Sequence, residues 1–292
     1  MASMAQLWDS TVLPLLEAHS PKTVIEIGAN QGSQTRLIAA WASEHRAVLH
    51  VVDPMPAFDT DAYEREWSGH LVVHRTVSLS ALALIGSADM VLVDGDHNWY
   101  TVLNELEEID RLNSDWPLVV IDDVGWPYGR RDMYYDPETV PAEHRHPFRK
   151  SALRRFRSDG GGLRRLRSAL GREELSTGFF NATHEGGPHN GVLTAVEDFL
   201  SNTDRDLLLL AHPGNSGLAV ILSDPALRQS PTLRRAVAGI HDVEYAIEIS
   251  PVYAARELPG DAAPSAVRPS YGPLRVSRRT LARARRWARA RS

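Results

Sequence analysis

The sequence predicts an α/β fold, built on a mostly parallel seven-stranded sheet with helices on both faces and an antiparallel hairpin at its end. Three observations predict it. Short apolar runs alternate with amphipathic helical periods up to about residue 125, four of the first five strand-like runs stop at Gly or Asp, and two final apolar runs flank a Pro-Gly turn. An opening helix is expected near Leu7 to Leu16, ahead of Pro21. Strands are expected at Thr23–Ile27, Ala47–Val52, Leu71–His74, Met90–Val93 and Leu118–Ile121. A helix from Thr35 to Ala42 follows the first strand, with Leu37, Ile38 and Trp41 on one face. The helix between the fourth and fifth strands repeats Val102, Leu103, Leu106, Ile109 and Leu112 at three- and four-residue steps, which turns Glu105, Glu107 and Glu108 to water.

Regular patterning breaks between residues 125 and 190, where aromatic residues, an Arg-rich stretch and Gly160-Gly161-Gly162 give no long period. An insertion of this length is read as a lid or substrate-binding region. A helix is expected from Gly191 to Leu200, then strands at Asp206–Ala211 and Gly217–Leu222 forming the hairpin, then a helix near Thr232 to Gly239. Residues 1–274 thus form one domain and residues 275–292 a basic tail.

The 292 residues contain no Cys, and 32 basic against 37 acidic residues give a net charge of −5. Disulfides, thiolate nucleophiles and Cys-ligated metals are excluded, so any metal would sit on oxygen or imidazole. Eight Arg and no acid lie between Arg275 and Arg291, which leaves 24 basic against 37 acidic groups before them. That acidic body argues against nucleic acid as a partner, although the tail itself has the charge for it. No apolar run approaches the roughly 20 residues of a membrane span, and the N-terminus lacks a basic segment ahead of its apolar one. A cytoplasmic protein without membrane attachment is expected; homo-oligomers stay open.

Two constellations carry chemistry. Glu26-Ile-Gly28-Ala-Asn30-Gln-Gly32 stands at a strand-to-helix junction, where Gly28 and Gly32 let the backbone turn tightly and approach a ligand. The spacing is neither the dinucleotide G-x-G-x-x-G nor a P-loop. Asp53 ends the second strand 27 residues after Glu26, where a carboxylate can accept two ribose hydroxyls. Together they predict an adenosyl-ligand site. In the second constellation, Asp94-Gly-Asp96-His97 ends the fourth strand and Asp122-Asp123 the fifth. On neighbouring parallel strands these carboxylates would converge in the crevice beyond the strand ends. Such a cluster repels itself unless a cation neutralises it, and Mg²⁺ favours oxygen sites of this kind. Asp96 has an alternative use as a helix cap.

These residues resemble the class I S-adenosylmethionine-dependent methyltransferases, whose fold is Rossmann-like. The likeness rests on Glu26-x-Gly28-x-x-x-Gly32, Asp53, the Asp94 turn and the terminal hairpin, over about residues 20–124 and 191–223. More narrowly, Asp94 with Asp122-Asp123 is similar to the metal-dependent O-methyltransferases of the macrolide-sugar and catechol types. The resemblance implies S-adenosyl-L-methionine held by Glu26, Gly28, Asn30, Gly32, Asp53 and Asp94, with Ser78 near the adenine, and Mg²⁺ held by Asp94, Asp122 and Asp123. It implies methyl transfer to a hydroxyl of a small molecule such as a sugar or glycosylated natural product. His97, three residues after Asp94, replaces the Lys base of the catechol enzymes and is the first candidate base; His184, in a Gly- and Pro-bounded stretch, is the second. N-methylation of an amino sugar, RNA methylation through the tail, and a non-catalytic binding module are the rival readings. Trp126, Tyr128, Tyr134 and Tyr135 either cover the crevice or roof the core.

Overall fold

The computed structural model of the protein describes residues 4–151, 153, 178–214 and 216–250. Most of the Arg-rich stretch of the insertion and the whole basic tail lie outside the described residues. The main sheet is formed by seven strands, β1 (Thr23–Ile27), β2 (Val48–Val52), β3 (Leu71–His74), β4 (Met90–Val93), β5 (Leu118–Ile121), β9 (Leu207–His212) and β10 (Leu218–Ser223), in the order β3-β2-β1-β4-β5-β10-β9. The first five run parallel, and β10 pairs antiparallel with both β5 and β9. The five central runs and the hairpin lie within one residue of their expected positions.

Successive side chains on a strand point to opposite faces, so each β-strand feeds two cores. Val24, Leu49, Val51, Leu92 and Val120 pack on one side with α1 (Leu13–His19), α2 (Ser33–His45) and α8 (Pro231–Ile240). Ile25, Ile27, Val91, Val93 and Ile121 pack on the other with α4 (Ser78–Ile85), α5 (Trp99–Leu112) and α6 (Val192–Asn202). Burial on both faces explains why these strands are continuously apolar. Among the described residues, four short helices were not expected: α3 (Thr60–Glu66), α4, α7 (Asp224–Gln229) and α9 (Val243–Ile249). No described helix is long and apolar enough to cross a membrane.

Two local expectations are corrected. The opening segment is a 3₁₀ turn over Met4–Leu7 and a π turn over Trp8–Val12 before α1 begins at Leu13. Pro14 sits in the first turn of α1, where its missing N–H leaves no bond unmade. Glu105 does not face water. It is fully buried on α5, against α4, and burial pushes its pKa up to about 8, with the Ser78 hydroxyl partly offsetting the shift. The helical period placed it opposite the sheet, and the docking of α4 covers that side too.

The described part of the insertion forms a second sheet, β6 (Met133–Tyr134), β7 (Phe148–Lys150) and β8 (Phe180–Ala182), with β8 in the centre and all pairs antiparallel. Buried Asp132 ties this sheet to the main body. Its Oδ1 accepts from the backbone N–H of Trp99 at 2.8 Å and of Gly191 at 2.7 Å, and its Oδ2 accepts from the Tyr134 hydroxyl at 2.9 Å. One carboxylate therefore joins the start of α5, the start of α6 and the inserted sheet. The aromatic residues divide between the two roles expected of them. Tyr128 and Tyr134 are buried in the core, whereas Tyr135 is exposed.

Candidate active site

The carboxyl ends of β1, β2, β4 and β5 meet along one edge of the sheet, because register pairs Ile27 with Val52 and Val93, and Val93 with Ile121. Gly28 follows β1 at φ +87°, and a Cβ there would overlap the backbone carbonyl of Asp94. The β1 turn and the β4 turn thus touch directly. Gly32 precedes α2 at φ +75°, where a Cβ would lie 2.9 Å from the Phe58 ring. Exposed Asn30 also takes a left-handed conformation, at φ +47°.

Asp53 clamps this turn from β2. Its Oδ2 accepts from the N–H groups of Ala29 at 2.9 Å and Asn30 at 2.8 Å, and its Oδ1 accepts from Met55 N–H at 2.8 Å. Oδ1 keeps acceptor capacity for a ligand hydroxyl. Glu26 is buried beneath the turn. Its Oε2 accepts from the Thr35 hydroxyl at 2.6 Å, while Oε1 has no hydrogen-bond partner. Burial, assisted by repulsion from Asp53, pushes its pKa up to about 8 against the opposing Thr35 bond. A buried, half-satisfied carboxyl under a glycine turn suits a ligand that brings a positive charge or an amine donor. Ser78 starts α4, buried, with its hydroxyl beside Glu105.

The second constellation assembles on β4 and β5. Asp94 N–H donates to Ile27 C=O at 2.8 Å and Asp122 N–H to Val93 C=O at 3.0 Å, so the sheet ladder carries on into both turns. Asp123 adopts φ +61°, a left-handed conformation that Asp tolerates better than most residues. Its Oδ2 lies 3.0 Å from His97 Nδ1, with both side chains almost fully buried. Asp94, His97 and Asp123 each place a ligand-capable atom within 4.8 Å of the others. Asp122 is the neighbour of this trio. Its Oδ1 accepts from Asp123 N–H at 2.8 Å and from the Ser216 hydroxyl at 3.1 Å.

Carboxyls crowded out of water hold their protons. Withdrawal from water, then repulsion from Asp122, Asp123 and Glu26, raises Asp94 well above the ordinary carboxylate range. Burial and then repulsion from Asp123 push Asp122 up to about 7, and burial pushes Asp123 up to about 6. His97 is pushed the other way by burial, against the pull of Asp122 and Asp96. An ionised Asp123 only accepts, so Nδ1 of His97 carries the proton and Nε2 offers its lone pair. Nε2 meets the Tyr135 hydroxyl at 3.3 Å, and the imidazole lies against the Tyr128 ring at 5.3 Å between centroids, tilted by 10°.

Two residues of the sequence pattern stand apart from this trio. Asn98, not Asp96, caps α5 by accepting from Thr101 N–H at 2.8 Å, and Asp96 accepts from the Thr101 hydroxyl at 3.1 Å. His184 is exposed on the inserted region, edge-on to His146 at 4.9 Å. None of its described contacts is to Asp94, His97, Asp122 or Asp123. Ser216 and Tyr135 join the site without having been assigned to it from the sequence. Tyr135 was visible as an aromatic after the Asp pair, whereas Ser216 carried no signal.

Residues 25–124 match the family model for a methyltransferase domain. No curated protein matches the chain in sequence. Among solved structures, a Podospora anserina methyltransferase bound to S-adenosylhomocysteine is similar at 16% identity and TM-score 0.45, over 76% of this chain and 80% of that one. A Staphylococcus aureus protein assigned as a caffeoyl-CoA O-methyltransferase is similar at 11% identity and TM-score 0.43, over 76% and 85%. A TDP-rhamnose 3'-O-methyltransferase of calicheamicin biosynthesis is similar at 16% identity and TM-score 0.33, over 42% and 64%. Residues 25–124, which carry the Gly28 turn and the ends of β1, β2, β4 and β5, are thus similar to a methyltransferase domain.

Proposed function

We propose that the chain is a Mg²⁺-dependent O-methyltransferase acting on a hydroxyl of a small molecule, such as a sugar or a glycosylated natural product. One observation carries the reading: Asp94 and Asp123 come together with His97 at the ends of β4 and β5, against the Gly28 turn. The donor set fits a divalent ion. Asp94 is repelled by Asp122, Asp123 and Glu26, and Asp122 by Asp123, and among the described residues no Lys or Arg is one of the groups that offset their charge. Asp94 and Asp123 would hold the ion in either arrangement, with Asp122 as the third carboxylate or His97 as an imidazole ligand. Oxygen donors favour Mg²⁺, and the three-carboxylate arrangement leaves His97 free as the base. A bound divalent ion lowers the pKa of an acceptor hydroxyl.

The chain's own residues do the rest. Gly28, Asn30 and Gly32 give a donor close approach to backbone, Glu26 faces its charged end and Asp53 its ribose, with Ser78 toward the base. Methyl transfer is an in-line displacement that needs the acceptor oxygen about 3 Å from the methyl carbon. The contact between the β1 and β4 turns supports a reading in which the two sites lie side by side. His97 removes the hydroxyl proton through Nε2, and Asp123 steadies the imidazolium that forms.

Chelation tests this. Removal of divalent ions should abolish methyl transfer to a hydroxylated acceptor while S-adenosylhomocysteine still binds in a calorimeter, and addition of Mg²⁺ should restore turnover. Undiminished turnover after chelation would remove the metal from the reaction.

A further inference from the structure

His97 is only 3% exposed, and its outward nitrogen is covered by a residue of the inserted region. A base in that position reaches an acceptor only through whatever covers it. Tyr135 is 47% exposed, so part of it is open to solvent while its hydroxyl meets Nε2. Its position is not that of a loose loop residue. Tyr135 directly follows β6, and the preceding Tyr134 is buried with its hydroxyl on Asp132. Alternation along the strand sends Tyr135 to the opposite face, where its ring meets Phe179 edge-on at 5.2 Å. Phe179 precedes β8, and β6 and β8 are in register at Tyr134 and Phe180. The Asp132 bonds to the starts of α5 and α6 thus set the place from which Tyr135 reaches His97.

We propose that Tyr135 is a further catalytic residue, whose hydroxyl stands between the acceptor and His97 and relays the acceptor's proton to Nε2. This rests on the methyltransferase reading above with His97 as base. As the acceptor oxygen forms its bond to the methyl carbon, the carbon–sulfur bond breaks and its electron pair stays on sulfur, leaving a neutral thioether. The acceptor proton passes to Tyr135 Oη, and the proton of Tyr135 passes to His97 Nε2. The imidazolium then faces the carboxylate of Asp123, and its proton returns to solvent by the same route after the product leaves. An acceptor so placed lies against the Tyr135 and Phe179 rings, which favours a flat or apolar face beside the reacting hydroxyl.

Two measurements on the full chain test the proposal. The first needs no acceptor. Diethyl pyrocarbonate acylates accessible neutral imidazole, and peptide mass spectrometry locates the product. His97 should stay unmodified in the wild type under conditions that modify exposed His184, and should become modified in Tyr135→Ala. Modification of His97 in the wild type as fast as His184, or equal protection in Tyr135→Ala, would overturn the assignment. The second uses a catechol, a diol that can chelate Mg²⁺, as the probe acceptor. Tyr135→Phe keeps the ring contacts and loses the proton, so kcat should fall by about 10²-fold with little change in KM. Wild-type or faster turnover of Tyr135→Phe would show that the hydroxyl only blocks the base. A wild type that binds S-adenosylhomocysteine but does not methylate the probe counts against the acceptor reading, and the acylation result then decides the place of Tyr135 by itself.

Discussion

Asp123→Asn is expected to lower turnover by about 10³-fold while leaving S-adenosylhomocysteine affinity within a few-fold of wild type. The side chain keeps its shape, and Asn also tolerates the φ of +61° that residue 123 adopts, so the turn should persist. What disappears is charge. Asp123 pairs with His97 at 3.0 Å and belongs to the trio able to hold a cation, so under the proposed mechanism the substitution removes both a metal ligand and the counter-charge of the base. Each is worth several kcal/mol in a site shielded from water, and about 4 kcal/mol corresponds to 10³ in rate. Steady-state kinetics with calorimetry of product binding checks it. Turnover within a few-fold of wild type would mean that Asp123 only shapes the turn.

The second large effect is on the fold that carries the donor. Gly28→Ala should lower stability by about 3 kcal/mol or more and abolish S-adenosylhomocysteine binding. Two penalties coincide at this position. The φ of +87° disfavours any side chain, and the added Cβ would overlap the Asp94 carbonyl, forcing the β1 and β4 turns apart. Gly69 provides the internal control, since it has φ +83° but nothing within 4 Å of an added Cβ. Gly69→Ala should therefore show the conformational penalty alone, about 1 kcal/mol. Thermal melts of the two variants separate the effects, and equal melting temperatures would show that the contact between the turns contributes nothing.

Much of the fold was legible because its strands are buried on both faces. Runs such as Val24-Ile25 and Leu118-Val119-Val120-Ile121 need no alternation to be recognised, and Gly28, Asp53, Asp94 and Asp122 mark where the strands stop. What the sequence hid depends on contacts between distant segments. Glu105 sits at a position that the helical period assigns to water, and only the docking of α4 buries it. Asn98 and Asp96 are both acceptable caps by residue type, and the backbone at the start of α5 selects Asn98. The inserted sheet pairs Met133 with Asn181 across most of the insertion, so no local period announces it. The same holds within the site. Asp94, Asp122 and Asp123 are readable as strand ends, whereas the nearness of Asp123 to His97 follows from the left-handed turn at residue 123, and the place of Tyr135 follows from Asp132.

Titration calorimetry of Mg²⁺ into the full chain with S-adenosylhomocysteine at pH 8 decides whether Asp94 and Asp123 hold one divalent cation beside the Gly28 turn, as proposed. At that pH Asp122 and Asp123, pushed up to about 7 and about 6, are ionised. A single binding event is expected in the wild type, weaker at pH 6 where protons compete with the ion, and absent from the Asp94→Asn, Asp123→Asn double variant. Identical Mg²⁺ binding by the wild type and the double variant, or no binding by the wild type at pH 8, would contradict it.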